Sequence, residues 1–287
     1  MFYVIIIAVI KLDGVLIVHK AAGMTSHDVV MKLRRILKTK KIGHSGTLDP
    51  NATGVLVVLV GKACKILPFI EDIDKEYIAG MELGKRTLSD DIWDVTLEEK
   101  EVTPIADFNA VVKSFKGKIK QYPPMISSIK VNGKKLYEYA RNNEPVQRPL
   151  RNVEIFDIEV LDEANMQFRV HCSSGTYIRS LCVDIAEKTN NLGCMNSLVR
   201  SKVGRFSLKE AKTLTEIENG EIHLYSIDEM LSHLQKIAYT PIEDVYHGKK
   251  IRIQDANDRV VIVHEDCCVA IYERDHANVY RSVRGLW

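Results

Sequence analysis

One carboxylate, Asp49, stands alone in the loop GHSGTLDPNATG, among glycines and small polar side chains. It is the only acidic residue between Asp28 and Glu71, and basic sequence precedes it. An anionic side chain so placed has few local competitors for a cation or an electron-poor centre. An Asp-Pro step taken alone does no more than open a turn. His44, in the GHSG turn upstream, is by the same measure an ordinary polar loop residue.

Arg179 supplies an independent clue. In GTYIRSLCVDIAEK it falls in the first turn of a helix, where a cation meets the positive end of the macrodipole at a cost of about 0.3–1 kcal/mol. A carboxylate from elsewhere in the fold, or an RNA phosphate, would offset that cost; a solvated arginine would feel little of it. Tyr177 precedes the helix proper, either facing a site or buried with its hydroxyl hydrogen-bonded. Lys20, at the end of the first strand, and Lys65, in GKACK, are candidates for phosphate contacts, each equally readable as solvated surface. GKACK is not a P-loop, because GxxxxGK[ST] is absent, so nucleotide hydrolysis has no support.

The elements that must position these residues are legible. GVLIVHK (14–20) reads as a buried strand, and AAGMTSHD as a turn with Ser26 capping a helix. Val29, Val30, Leu33, Ile36 and Leu37 recur at helical spacing, with a cationic helix end. The Asp49 loop leads into VLVVLVG, a strand buried on both faces. In KEYIAGMEL, Tyr77, Ala79, Met81 and Leu83 share one strand face. YPPMISSIKVNGKKLYEYAR combines an extended Pro-Pro entry, a strand, an Asn-Gly turn and a basic amphipathic helix. VEIFDIEV and QFRVHC are strands, and the Arg179 helix buries Ile178, Leu181, Cys182 and Ile185 before stopping at Gly193. Beyond about residue 235 the sequence becomes short β-like runs. Without a βαβ rhythm or a GxGxxG fingerprint, the fold class is α+β, a mixed-sheet core (1–235) with a small, mostly β C-terminal appendage (236–287).

At 287 residues, 46% apolar and 27% charged, the composition excludes disorder, collagen and membrane bundles. Six cysteines without a CxxC pair or zinc spacing indicate reduced thiols. The apolar opening, MFYVIIIAVI, is about half a membrane span and reads as a buried strand or as an upstream-misassigned start. The net charge of +2 hides sorting along the chain. Residues 1–70 carry ten Lys/Arg against three Asp/Glu, residues 71–108 four against twelve, and residues 109–151 ten against two. Two basic blocks of this kind can offer a positive face to a polyanion while the whole stays near neutral.

GVLIVHKAAGMTSHDVV, GHSGTLDPNATGVLVVLVGKACK, KEYIAGMELGKRTLSDD, YPPMISSIKVNGKKLYEYAR, VHCSSGTYIRSLCVDIAEK and LVRSKVGRF follow one another over residues 14–206. In that order they closely resemble the TruB-type tRNA pseudouridine synthases. The resemblance implies an enzyme that isomerises a uridine of the tRNA T-loop, position 55 in standard tRNA numbering, to pseudouridine. It implies Asp49 as the nucleophile and Arg179 as its partner. His44, Tyr77, Tyr177 and Leu198 would line the nucleotide pocket, with Lys20 and Lys65 in support. It further implies no metal or cofactor, tRNA held by its T-arm as partner, a monomer in the cytoplasm with no membrane attachment, and a PUA-like C-terminal RNA-binding domain. The sequence departs from the family in its tail of about fifty residues, short for a PUA-like module, in HKAAG where a Lys-Pro pair is usual, and in its apolar decapeptide.

That chemistry suits these residue types. The N1–C1′ bond breaks, the uracil turns, and C5 joins C1′, so no electrons are gained or lost. A carboxylate beside the sugar can stabilise or trap the anomeric centre, as in glycosidases; Asp49 acting at C1′, at the uracil ring or on a ribose proton are alternatives the sequence leaves open. Tyr77 could stack on the base, and its phenol, with an ordinary pKa near 10, is a poor base at neutral pH. The target base must be swung out, with His44 placed to fill the gap, while the basic blocks grip phosphates. A noncatalytic RNA-binding module using the same basic surface is the competing reading, and it assigns Asp49 no essential role.

Overall fold

The computed structural model describes residues 12–70 and 74–287, so the strand expected in the apolar decapeptide lies outside the described residues. A nine-stranded sheet forms the centre. Its first strands are β1 (Gly14–Lys20), β2 (Ile42–His44), β3 (Thr53–Val60) and β4 (Lys75–Leu83). Across the sheet the order runs β1, β3, Gly193–Val203, β4, Gln167–Cys172, Arg151–Asp162, Gly117–Gln121, with β2 paired to β3. Neighbours are antiparallel except β3 with Gly193–Val203, which makes the sheet mixed.

The unbroken apolar run of β3 has a direct cause: both of its faces are covered. Leu56, Val58 and Val60 pack with Leu16 and Val18 against Val29, Val30 and Leu33 of helix α1 (Ser26–Ile36). Val55, Val57 and Leu59 face the other way, onto Phe206, Met230, Val261, Ile271 and Leu286. Burying each such side chain contributes about 1.5–3 kcal/mol. Further along the sheet, Tyr77, Ala79 and Met81 of β4 pack against α2 (Phe108–Lys113) and against Ile178, Leu181, Cys182 and Ile185 of α4 (Ile178–Lys188). The Asn-Gly turn forms as expected, with Asn132 and Gly133 at φ 50° and 83°, and leads into α3 (Leu136–Arg141).

Two helix ends differ from expectation. Thr25, not Ser26, caps α1, in a capping box with Asp28. Thr25 holds the extended backbone of a cap (ψ 160°), which leaves Ser26 inside the helix and free to bond elsewhere. The Arg179 helix ends at Lys188 rather than running to Gly193. Asn190 takes the left-handed turn at φ 59°, and Gly193 instead opens the next strand.

The second sheet has five strands, from Gln235–Ala238 to Val279–Gly285, and its own apolar cluster around Val245, Val260, Tyr272 and Tyr280. This curled sheet is the expected PUA-like appendage. It joins the main body through Val261, Ile271 and Leu286, which share the cluster on the outer face of β1 and β3. All six cysteines are free. Among the described residues no helix is long and apolar enough to cross a membrane.

Candidate active site

The Asp49 loop is tied down at each of its turns. Ser26, displaced from the cap, accepts the Leu48 N–H through its Oγ (2.9 Å) and donates to the Leu48 carbonyl (3.3 Å), fixing the residue before Asp49 to α1. The Ala52 N–H donates to the Asp49 carbonyl (3.1 Å) and the Gly23 N–H to that of Pro50 (3.0 Å). Lys20 sits fully buried at the end of β1, and its ammonium donates to the carbonyls of Ala21 (2.9 Å), Met24 (2.6 Å) and Pro50 (2.9 Å). Three donors meet three acceptors, so Lys20 holds the loop and has no proton left for a phosphate. Burial lowers its pKa to about 8, against an opposing pull from the Asp49 charge.

Asp49 itself faces Arg179. The guanidinium forks onto the carboxylate, with Nε 3.0 Å from Oδ2 and Nη2 3.2 Å from Oδ1. Nη1 donates to the Ser89 carbonyl (2.7 Å) and Nη2 also to that of Ile126 (3.1 Å). The Arg179 side chain is 7% exposed and that of Asp49 is 32% exposed, so the cation is fixed in the wall while the anion reaches solvent. This is the anion that the helix-dipole argument required. Gln121 fixes the start of the same helix, donating to the Tyr177 carbonyl (3.3 Å) and accepting its N–H (3.1 Å).

Arg200, which the sequence reading passed over, is the second cation of the site. It is 1% exposed, on the strand Gly193–Val203, directly opposite Tyr77. Its Nε donates to the Val55 carbonyl (2.7 Å), and Nη1 and Nη2 to those of Thr47 (3.4 Å) and Gly46 (3.2 Å). It also hydrogen-bonds the Tyr77 phenol. One guanidinium thus links the Asp49 loop to the Tyr77 ring. Gly54 makes the approach possible: at φ 112°, a Cβ there would lie 2.2 Å from the Arg200 carbonyl oxygen. The signal was present, because Arg200 shares a strand face with Leu198, which pairs with Ala79 as Arg200 pairs with Tyr77.

Tyr77 is buried, and burial pushes its phenol above the ordinary value although the Arg200 charge opposes this, so it is a still poorer base than its residue type suggests. His44, at the end of β2, has its pKa lowered by burial and then by the Arg200 charge. Leu198 packs half-buried on the cluster containing Leu48, Ala52 and Tyr77. Tyr177 is half-buried, its phenol also raised by burial. A second carboxylate, Asp91, lies within reach of the Asp49 and Arg179 charges. Burial raises its pKa, a hydrogen bond from the Trp93 N–H opposes this, and Asp49 adds to the rise. It was hidden in the sequence by its acidic surroundings. Lys65 is elsewhere, donating to the carbonyls of Gly285 (3.1 Å) and Trp287 (2.8 Å) at the junction with the second sheet. A groove of about 740 Å³ opens beside the loop, lined by Ser45, Asp74, Phe156, His171, Ser174 and Arg205; Asp49 does not line it.

Residues 34–178 match the TruB family pseudouridylate synthase (N terminal domain). The chain is 42% identical to "tRNA pseudouridine synthase B" of Oceanobacillus iheyensis over 286 residues, 93% of this chain and 94% of that protein. It is also 42% identical to the protein of that name from Bacillus subtilis, over 91% and 92% of the two chains. The relative from Staphylococcus aureus is 49% identical over 74% and 72%. Among solved structures, a chain of a Cbf5-Nop10-Gar1 complex superposes with a TM-score of 0.70 at 25% identity, covering 96% of this chain and 85% of that one. The chain belongs to the TruB family of pseudouridylate synthases, enzymes that isomerise uridine to pseudouridine.

Proposed function

We propose that the uridine lies in the T-loop of tRNA, at position 55, and that Asp49 is the nucleophile. The observation that carries this reading is the Asp49–Arg179 fork: an accessible carboxylate, 32% exposed, aimed by a cation that is 7% exposed. The relatives' name, tRNA pseudouridine synthase B, supports tRNA as the substrate. The target nucleotide swings out of the T-loop, since a stacked base keeps its sugar out of reach. Tyr77 and Leu198 contact the extruded base, Tyr177 closes the other side, and His44 fills the vacated space. Asp49 stabilises or traps the electron-poor C1′ as the N1–C1′ bond breaks; the freed uracil turns and joins through C5, displacing Asp49 from C1′ where it was trapped, and C5 gives up its proton while N1 takes one up. Atoms and electrons balance within the substrate, so the reaction needs no redox cofactor, and the proposed mechanism uses none and no metal.

Lys113, Lys116, Lys118, Lys120 and Lys130, all exposed, belong to the basic block that runs past Ile126, whose carbonyl holds Arg179. They contact the T-arm phosphates. The enzyme works as a cytoplasmic monomer, with residues 1–235 as the synthase domain and 236–287 as an RNA-binding appendage. The test is carbodiimide mapping of pseudouridine in an unmodified tRNA transcript, before and after incubation with wild-type protein and with Asp49→Asn. Wild type is expected to mark position 55 and Asp49→Asn to bind the tRNA without marking it. Product from Asp49→Asn, or a mark elsewhere, overturns the reading.

A further inference from the structure

Four cations gather at the end of β3 remote from Asp49. The Gly61 N–H donates to the Lys41 carbonyl (2.8 Å), which places Lys41 beside Lys62. The bonds from Lys65 to the Gly285 and Trp287 carbonyls bring Arg284 of the second sheet to the same place. Lys41 and Arg284 are exposed and Lys62 is half-exposed. Among the described residues none of these three forms an ion pair. The nearby anion, Asp13, accepts the Lys62 backbone N–H (2.7 Å). The charges are close enough that Lys41, Lys62 and Arg284, after burial, all lower the pKa of Lys65. Three sequence-distant segments therefore hold like charges together with little local compensation, an arrangement that a polyanion would stabilise.

We propose that Lys41, Lys62 and Arg284, braced by Lys65, form a phosphate-binding patch for the backbone of duplex RNA, remote from the uridine site and spanning the junction of the two sheets. The eight residues of β3 (Thr53–Val60) separate the patch from the Asp49 loop, a distance of about 25 Å at ~3.3 Å per residue. An RNA loop alone cannot reach both places; a loop still joined to its stem and the helix stacked beyond it can. The patch thus distinguishes a whole tRNA from an isolated hairpin. It rests on the tRNA reading above.

The experiment compares wild type with the triple variant Lys41→Ala, Lys62→Ala, Arg284→Ala, leaving Lys65 to brace the junction. Binding is measured against salt for a full-length tRNA transcript and for a synthetic T-arm hairpin, and pseudouridine formation is followed on both. Each phosphate contact contributes about 0.9 to the slope of log affinity against log salt. Wild type should therefore lose about 40-fold more affinity for full-length tRNA between 50 and 200 mM salt than the variant does. The variant should bind and convert the hairpin as wild type does, which also shows that it is folded. An unchanged salt slope on full-length tRNA overturns the patch, and so does an equal loss on both RNAs. Should wild type convert neither RNA, the substrate reading fails while the binding comparison still decides the patch.

Discussion

Arg179→Lys separates aim from charge. The guanidinium now serves four acceptors: both Asp49 oxygens, at 3.0 and 3.2 Å, and the carbonyls of Ser89 and Ile126, at 2.7 and 3.1 Å. A lysine ammonium keeps the positive charge but is a point, not a fork, and cannot span the set. At least one buried carbonyl loses its donor, which costs about 1–3 kcal/mol of stability. The loss on the Asp49 side weighs less on stability, because a carboxylate 32% exposed can take water instead. Its effect falls on geometry. A carboxylate held at one oxygen can turn, and a misplacement of about 1 Å costs on the order of 100-fold in rate. Single-turnover assays on tRNA should show the rate down about 100-fold with affinity within threefold, and calorimetry a Tm lower by about 2–6 °C. Turnover within threefold of wild type would refute the claim that the fork aims the carboxylate. A collapse of tRNA binding with Asp49 chemistry intact would instead make Arg179 a phosphate contact.

Lys20→Met removes the bond that ties Pro50 of the Asp49 loop to the turn at Ala21 and Met24, without touching the cleft, so turnover should fall about 10- to 100-fold while tRNA affinity, read by filter binding, stays near wild type. Tyr77→Phe keeps the ring and loses only the bond to Arg200, whereas Tyr77→Leu loses the ring. Stacking as the main role requires the Phe variant to stay near wild type and to be clearly faster than the Leu variant in single turnover, whereas a Phe variant as slow as the Leu variant would return the phenol to consideration as a base. Asp184, on α4, has its pKa raised to about 6 by burial and by the Glu187 and Asp90 charges. The unfolded value lies near 3.9, so the folded state holds the proton more tightly and stability falls as pH rises from about 4 to about 6. Asp184→Asn should abolish that fall and gain about 1–3 kcal/mol at pH 7, seen as a Tm that no longer declines across this window.

What the sequence showed and what it hid divide along a physical line. The continuous run of β3, the alternation of β4 and the periodicities of α1 and α4 were legible because each element's burial is written in its own spacing. Asp49 and Arg179 were each visible singly, one as an isolated anion and the other as a cation at the wrong end of a dipole. The roles of Ser26, Lys20 and Arg200 were not visible, since each acts on a partner 22 to 154 residues away. Ser26 looks like a cap because a cap and a buried hydroxyl one residue later share one local pattern. Lys20 looks like a phosphate ligand because nothing nearby in sequence announces three carbonyls converging on its ammonium.

Those hidden residues explain how the site tolerates its own charge. Lys20, Arg179 and Arg200 place three cations around the Asp49 loop, and cations buried without partners would be costly. Here each is bonded to main-chain carbonyls, which are fixed, neutral and unable to compete with Asp49 for the sugar. The positive potential left over faces Asp49, whose side chain is 32% exposed. In the reaction proposed for Asp49, that fixed potential would stabilise a uracil leaving as an anion with little rearrangement of the protein. On that proposal one acid suffices, because the leaving group needs no proton from a second. The loop is rigid for the same reason: the carbonyls that neutralise the cations belong to the segments that must not move, Gly46, Thr47 and Pro50 among them.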